Sequence, residues 1–206
     1  MMKMETKLDE STEAKIKEAA RIVFTQKGYD SAKVRDIAKE ADISVSLLNY
    51  YFRSKEKLFL LCMAENLQRL LAGDEPILND ESTTIIEKVQ KLVVLHMDML
   101  LENPDFPTFV VNEMLSGSSD LPEIQQRIDI MANSVLAKQL MALKKEGKLE
   151  MNPMHLVMNF AGMMLFPFLA KPRLIKNCSI DETEFYKMIQ ERKKMIPLWI
   201  AQIIGV

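Results

Sequence analysis

The sequence predicts an all-α protein: a three-helix amino-terminal head with a helix-turn-helix, residues 1–53, and a larger helical body, residues 54–206. Three observations predict it. Apolar residues recur at i, i+3, i+4 and i+7 in segment after segment, the pattern of helices with one buried face. Alternating apolar–polar runs long enough to argue a sheet are missing. The periodic segments are punctuated by Gly28, Gly73-Asp74-Glu75-Pro76, Asn103-Pro104, the polar run Ser116–Asp120 and Gly147, where helices end more readily than they continue.

Composition bounds the function. The 206 residues can bury a substantial core. A net charge of −2 excludes a generic polyanion binder, so any nucleic-acid surface must concentrate positive charge locally. Through Leu58 there are 12 basic and 10 acidic residues, and beyond it 15 and 19, so the amino-terminal part is the relatively positive one. Cys62 and Cys178 lack metal or redox spacing and read as small apolar residues in a reducing compartment rather than a disulfide. The opening MMKMETKLDE has no apolar stretch of the kind a secretory leader carries, so a cytoplasmic location is expected.

The first ten residues are polar and expected to fray. A helix over Ser11–Lys27 follows, with Ile16, Ala19, Ala20, Val23 and Phe24 on one face and Gly28 as its C′ residue. Val34, Ile37, Ala38 and Ala41 mark a second helix; Asp42 breaks the pattern and Ile43 returns to the core. Ser44 is placed to N-cap a third helix, Val45 to about Phe52. In it Leu47, Leu48, Tyr51 and Phe52 share one face, while Ser46, Asn49, Tyr50 and Arg53 share the other. A hydroxyl, an amide, a phenol and a guanidinium on the free face of a short helix suit the major groove of DNA, where they can meet base edges and phosphates.

At this point the chain resembles the TetR-type (tetracycline-repressor-like) transcriptional regulators. The resemblance is carried by Phe24-(x)3-Gly28-Tyr29, Val34-Arg35-Asp36-Ile37-Ala38, Ala41-(x)-Ile43-Ser44 and Tyr50-Tyr51-Phe52-(x)-Ser54-Lys55-Glu56-(x)-Leu58, in order over residues 11 to 58. Beyond that stretch the chain matches in length and helical character alone. Three positions depart from the family pattern. Asp42 stands where the family has glycine, Ala32 where it often has a capping, phosphate-touching threonine, and Asn49 where an aromatic residue is common. Ser31 must therefore supply the cap or that contact is lost, and the Asn49 amide can pair with an adenine edge or face water.

The resemblance implies that Val45 to Tyr51 enters a major groove, with Ser44 capping it. Ser46, Asn49 and Tyr50 are the expected base readers, with Val45 or Leu47 against a thymine methyl. Ser31, Lys33, Arg53 and Lys55 are expected to touch phosphates. For Lys55 the family commonly shows that contact, and a solvated surface lysine is the alternative.

Ser54 is expected to cap a fourth helix that runs to about Ala72 and stops at Gly73-Asp74-Glu75-Pro76. The body then reads as helices over Ser82–Glu102, Asp105–Leu115, Leu121–Glu146, Pro153 to about Ala170, and Asp181–Ile204, the last opened by a Ser179–Glu182 capping box and kinked at Pro197. Met154–Ala170 is apolar almost all round. It is shorter than the roughly 20 residues a membrane span needs and carries His155, Asn159 and Pro167, so it reads as a helix buried by its own body and a second subunit, not a span. The resemblance implies a homodimer through the last two helices; Phe166, Phe185, Met188, Ile196, Trp199 and Ile203 are the expected interface residues.

Signatures of enzymes are missing: no Walker loop, no dinucleotide fingerprint, no nucleophile elbow. Two histidines, His96 and His155, cannot make a multi-histidine metal site, so neither metal nor cofactor is expected. The body is rich in methionine, which fills irregular shapes and can line a pliable pocket as readily as a plain core. His96, Met97, Phe109, Met114, Phe160, Met163 and Met164 are the pocket candidates. The expected function is a homodimeric regulator, a repressor released from a pseudo-palindromic operator by an apolar small molecule. The rival is a small-molecule binding or interaction protein that keeps the head without using it.

Overall fold

The computed structural model describes residues 2–116 and 122–205. Among these there are ten helices and no strand. The helix α1 (Met2–Ser31) begins before the expected Ser11 and carries a non-helical residue at Gly28, φ 73° and ψ 160°, where the chain bends. Then come α2 (Val34–Glu40) and α3 (Val45–Phe52), and these three pack with the start of α4 (Lys55–Leu78) around Ile16, Ala20, Phe24, Ile37, Leu48 and Leu58.

The turn between α2 and α3 survives the loss of glycine. Asp42 takes φ 50°. Its N–H donates to the Lys39 carbonyl at 3.1 Å, and the Ile43 N–H to that of Ala38 at 3.0 Å. That pair of bonds is a Schellman motif with aspartate at the left-handed C′ position. Ser44 caps α3 as expected, its Oγ accepting from the Leu47 N–H at 3.1 Å. Ser31 does not cap α2. That place is Lys33's, whose backbone N–H donates to Asp36 Oδ2 at 3.2 Å.

Several body boundaries differ from expectation, each for a local reason. Helix α4 runs through Gly73 and Pro76 to Leu78. Gly73 is there for packing: a Cβ on it would stand 2.8 Å from Leu95 Cδ2 of α5 (Ile85–Glu102). The start of α5 is fixed at Thr84, not Ser82, by a reciprocal cap with Glu87. Phe106–Ser116 forms α6. The rest of the polar run, residues 117–120, and the expected helix start at Leu121 lie outside the described residues.

The helix expected up to Glu146 is two, α7 (Pro122–Asn133) and α8 (Val135–Lys145), because the buried Ser134 caps the second through the Ala137 N–H. Helix α9 (Met154–Asn177) continues past Ala170 through Pro167 and Pro172. α10 (Glu182–Ile204) is capped by Asp181, which accepts from the Glu184 N–H, rather than by Ser179.

The body is organised on α5, which packs against α4, α8, α9 and most extensively α10. One apolar core runs from Ile16 in the head to Ile204 at the end of α10. Lys88 lies buried inside it with its ammonium satisfied by the Asp80 carbonyl at 2.6 Å, the Thr83 carbonyl at 2.7 Å and Thr83 Oγ1 at 2.9 Å, which ties down the α4–α5 loop. Within one chain α9 is covered on one side: Leu156 and Met164 are its fully buried residues, and Met154, Met158, Phe166 and Leu169 face outward. At 24 residues it is long and apolar enough to cross a membrane by length and composition, unlike the shorter segment expected from the sequence.

Candidate DNA-recognition helix and body cavity

Leu48 and Phe52 anchor α3 in the core, and this fixes what its other side presents. Ser46 and Asn49 are exposed, and Tyr50 is 77% exposed. Its ring meets Tyr51 edge-on at 5.5 Å. Val45 and Leu47 are exposed at 37% and 38%, so Leu47 belongs with the outward set rather than the core face read from the sequence. Ser44, beside them, is exposed but has its hydroxyl occupied by the cap. Arg53 is exposed just past the end of α3, with a positive φ of 54°. Ser31 and Lys33 are exposed at the entrance to α2.

Lys55 is placed differently from expectation. It is half-buried, and its ammonium donates to the backbone carbonyls of Tyr29 at 2.8 Å and Ala32 at 3.1 Å while lying 4.2 Å from the centre of the Tyr29 ring. The charge is engaged with the chain that turns from α1 into α2. Ala32, unable to cap, is buried among the head's core residues and offers its carbonyl to this lysine.

The head is seated on the body at the same turn. The Tyr29 N–H donates to Asp105 Oδ2 at 2.7 Å, just before α6, and Phe59 packs edge-on against Phe109 at 6.3 Å. Burial pushes the Asp105 carboxyl up against the opposing pull of that hydrogen bond. Phe109 is therefore in the head–body seam.

The body holds a cavity of about 80 Å3 with almost wholly apolar walls contributed by α4, α5, α7, α8, α9 and α10. His96 and Phe160 line it, their rings edge-on at 5.8 Å. The other candidates lie elsewhere. Met97 and Met164 are buried core residues outside the lining, Met163 is half-buried with its carbonyl accepting from Arg192, and Met114 is 68% exposed. A larger space of about 700 Å3 along α4 and α5 is an open surface groove and encloses nothing.

What the sequence did not reveal is the polar end of the cavity. His96 Nε2 is 2.6 Å from Asp74 Oδ1, both side chains buried, and Arg127 Nε of α7 is 3.4 Å from Asp74 Oδ2. Burial lowers the His96 pKa, overcoming the upward pull of the hydrogen bond to Asp74. Burial therefore favours the neutral imidazole. Arg127 Nε is itself buried without a hydrogen-bond acceptor among the described residues.

The expected interface residues divide. Phe185 and Ile196 are buried within the chain, Phe185 against Phe168 at 5.7 Å, and so cannot meet a partner. Met188, Trp199 and Ile203 are half-buried, and the Trp199 ring is covered by Arg192 at 5.4 Å. Phe166 is 68% exposed.

Comparison with known proteins agrees with this arrangement. Residues 16–62 match the family described as "Bacterial regulatory proteins, tetR family". The chain is 26% identical over 200 residues to the Bacillus subtilis protein named "Probable HTH-type transcriptional regulator YttP", covering 94% of each. It is 28% identical over 104 residues to the "HTH-type transcriptional repressor NicS" of Pseudomonas putida, spanning 50% of this chain and 49% of that one. Its fold is shared with the fatty acid degradation regulator FadR from Bacillus halodurans, at a TM-score of 0.54 and 20% identity, covering 89% of this chain and 97% of that one. Residues 16–62 thus form a head of the tetR family of bacterial regulatory proteins, and the chain as a whole is similar to a transcriptional regulator over 94% of its length.

Proposed function

We propose that the chain is a homodimeric repressor, with residues 1–53 as its DNA-binding domain and 54–206 as its ligand-binding and dimerisation domain. The observation that carries the reading is α3: its inner face is locked by Leu48 and Phe52, and Ser46, Asn49 and Tyr50 stand free on the other. These three read base edges, with Val45 and Leu47 beside them as apolar contacts for thymine methyls. Ser31, Lys33 and Arg53 hold phosphates and set the register. The apolar outer face of α9, with Leu198 and Met195 of α10, is covered by a second copy rather than by lipid. Two-fold symmetry then demands a pseudo-palindromic operator. A ligand in the body cavity lowers operator affinity by the same factor with which operator lowers ligand affinity. A regulator of this kind works in the cytoplasm, beside the DNA.

The test is a fluorescence-anisotropy titration against DNA flanking the protein's own gene, with scrambled DNA as competitor. Specific, salt-sensitive binding is expected. Tyr50→Ala should reduce it by about 1–3 kcal/mol while leaving binding to scrambled DNA unchanged. Equal losses on both DNAs would remove Tyr50 from the readers.

A further inference from the structure

We propose that the body cavity takes an uncharged ligand, an apolar molecule carrying one hydrogen-bond-accepting group such as a carbonyl, and discriminates against free carboxylates and amines. This rests on the reading of the body as ligand-binding and names the chemistry that it selects.

The argument is one of charge balance in an apolar enclosure. An acidic and a basic side chain, Asp74 and Arg127, form an ion pair at the cavity, 3.4 Å apart. His96 is buried 2.6 Å from Asp74, and that burial opposes a charge on its ring. The remaining wall, including Val89, Leu92, Leu140 and Phe160, is apolar. A carboxylate entering this space finds Arg127 but also Asp74 beside it, so attraction and repulsion nearly cancel and the cost of leaving water remains. An ammonium meets the same cancellation with the signs exchanged. A neutral acceptor has no such cost and can accept from Arg127 Nε, a buried atom that is ion-paired with Asp74 at 3.4 Å but makes no hydrogen bond among the described residues. The cavity is small, about 80 Å3, so short chains suit it. Its walls on α7 and α8 contain no fully buried side chain, so these are the walls that can shift outward around a ligand.

The experiment is calorimetric titration of the full-length protein at pH 8 with three six-carbon probes: hexan-2-one, hexanoate and hexylammonium. The ketone is expected to bind about tenfold or more tighter than either ion, a ratio that about 1.4 kcal/mol of uncompensated desolvation would produce. Asp74→Asn keeps the shape but leaves Arg127 unbalanced, so hexanoate should overtake the ketone. Arg127→Gln leaves Asp74 unbalanced and should favour hexylammonium. Circular dichroism checks that each variant folds; if one does not, the wild-type ranking decides. Wild-type binding of either ion as tight as the ketone overturns the proposal, as does an unchanged ranking in both folded variants. Failure of all three probes to bind also overturns it, and the operator titration reports separately on DNA recognition.

Discussion

Lys55→Met separates an internal strap from a phosphate contact, because the two roles predict opposite pairs of results. In the structure the ammonium donates to the Tyr29 and Ala32 carbonyls and sits over the Tyr29 ring. Hydrogen bonds to a charged group contribute about 1.5–3 kcal/mol each. A cation–π contact at an accessible site adds about 0.5–1 kcal/mol. The residue is half-buried, so water competes for the carbonyls and screens the charge, and the sum must be discounted. A net loss of about 2 kcal/mol is expected, lowering the melting temperature by roughly 4–8 °C for a chain of this size. Methionine keeps the apolar stem, so the loss isolates the ammonium. Urea denaturation measures the stability, and anisotropy titrations over a range of salt measure the slope of DNA affinity. The strap predicts a lower midpoint and an unchanged slope. An unchanged midpoint with a slope reduced by about 0.9, the effect of one lost phosphate contact, would refute the reasoning.

Asp42→Gly should stabilise the protein by about 0.5–1 kcal/mol in the same urea assay, since glycine takes the left-handed C′ position without a Cβ penalty; a loss would show that the aspartate side chain earns its place by another contact. The His96 pKa is lowered from 6.5, so neutral histidine supports the fold fully above that value, and stability falls as pH drops below it because the unfolded chain takes the proton first. Between pH 7.5 and 5.5 the melting temperature of the wild type should fall more steeply than that of His96→Asn; parallel slopes would remove His96 as the cause. Cys62 is buried and its thiol is pushed up to about 12, whereas Cys178 is exposed. Ellman's reagent should therefore titrate one thiol in the native protein and both in denaturant.

What could be read from the sequence was what is local along the chain. The core spacing of Ile37, Ala38, Ala41, Leu48 and Phe52, and the caps at Ser44 and Ser54, involve partners within a few residues, and all are found. Leu47 lies on the outward face, and a helix of eight residues has too few turns for periodicity to decide its edges. The methionine count suggested a pocket but could not separate a buried sulfur such as Met97 from an exposed one such as Met114, since composition carries no direction.

A residue whose partner lies on another helix is not legible from its neighbours in sequence. Gly73-Asp74-Glu75-Pro76 looks like a helix stop. Yet Gly73 is small because Leu95 of α5 presses on it, and Asp74 is buried because His96 of α5 and Arg127 of α7 meet it. Two residues that would end a helix in solution thus sit inside one because tertiary packing outweighs their local preference. Asp98, the carboxylate nearest His96 along the chain, is no partner for it, since positions two apart diverge on a helix. Lys55 follows the same logic: its spacing matches a family motif, but which oxygens it meets depends on where the turn after α1 comes to rest. The polar groups of the cavity, Asp74, His96 and Arg127, are drawn together from three helices, and no local pattern announces them. A charge alternation test on the cavity therefore probes the part of the molecule that only the fold creates.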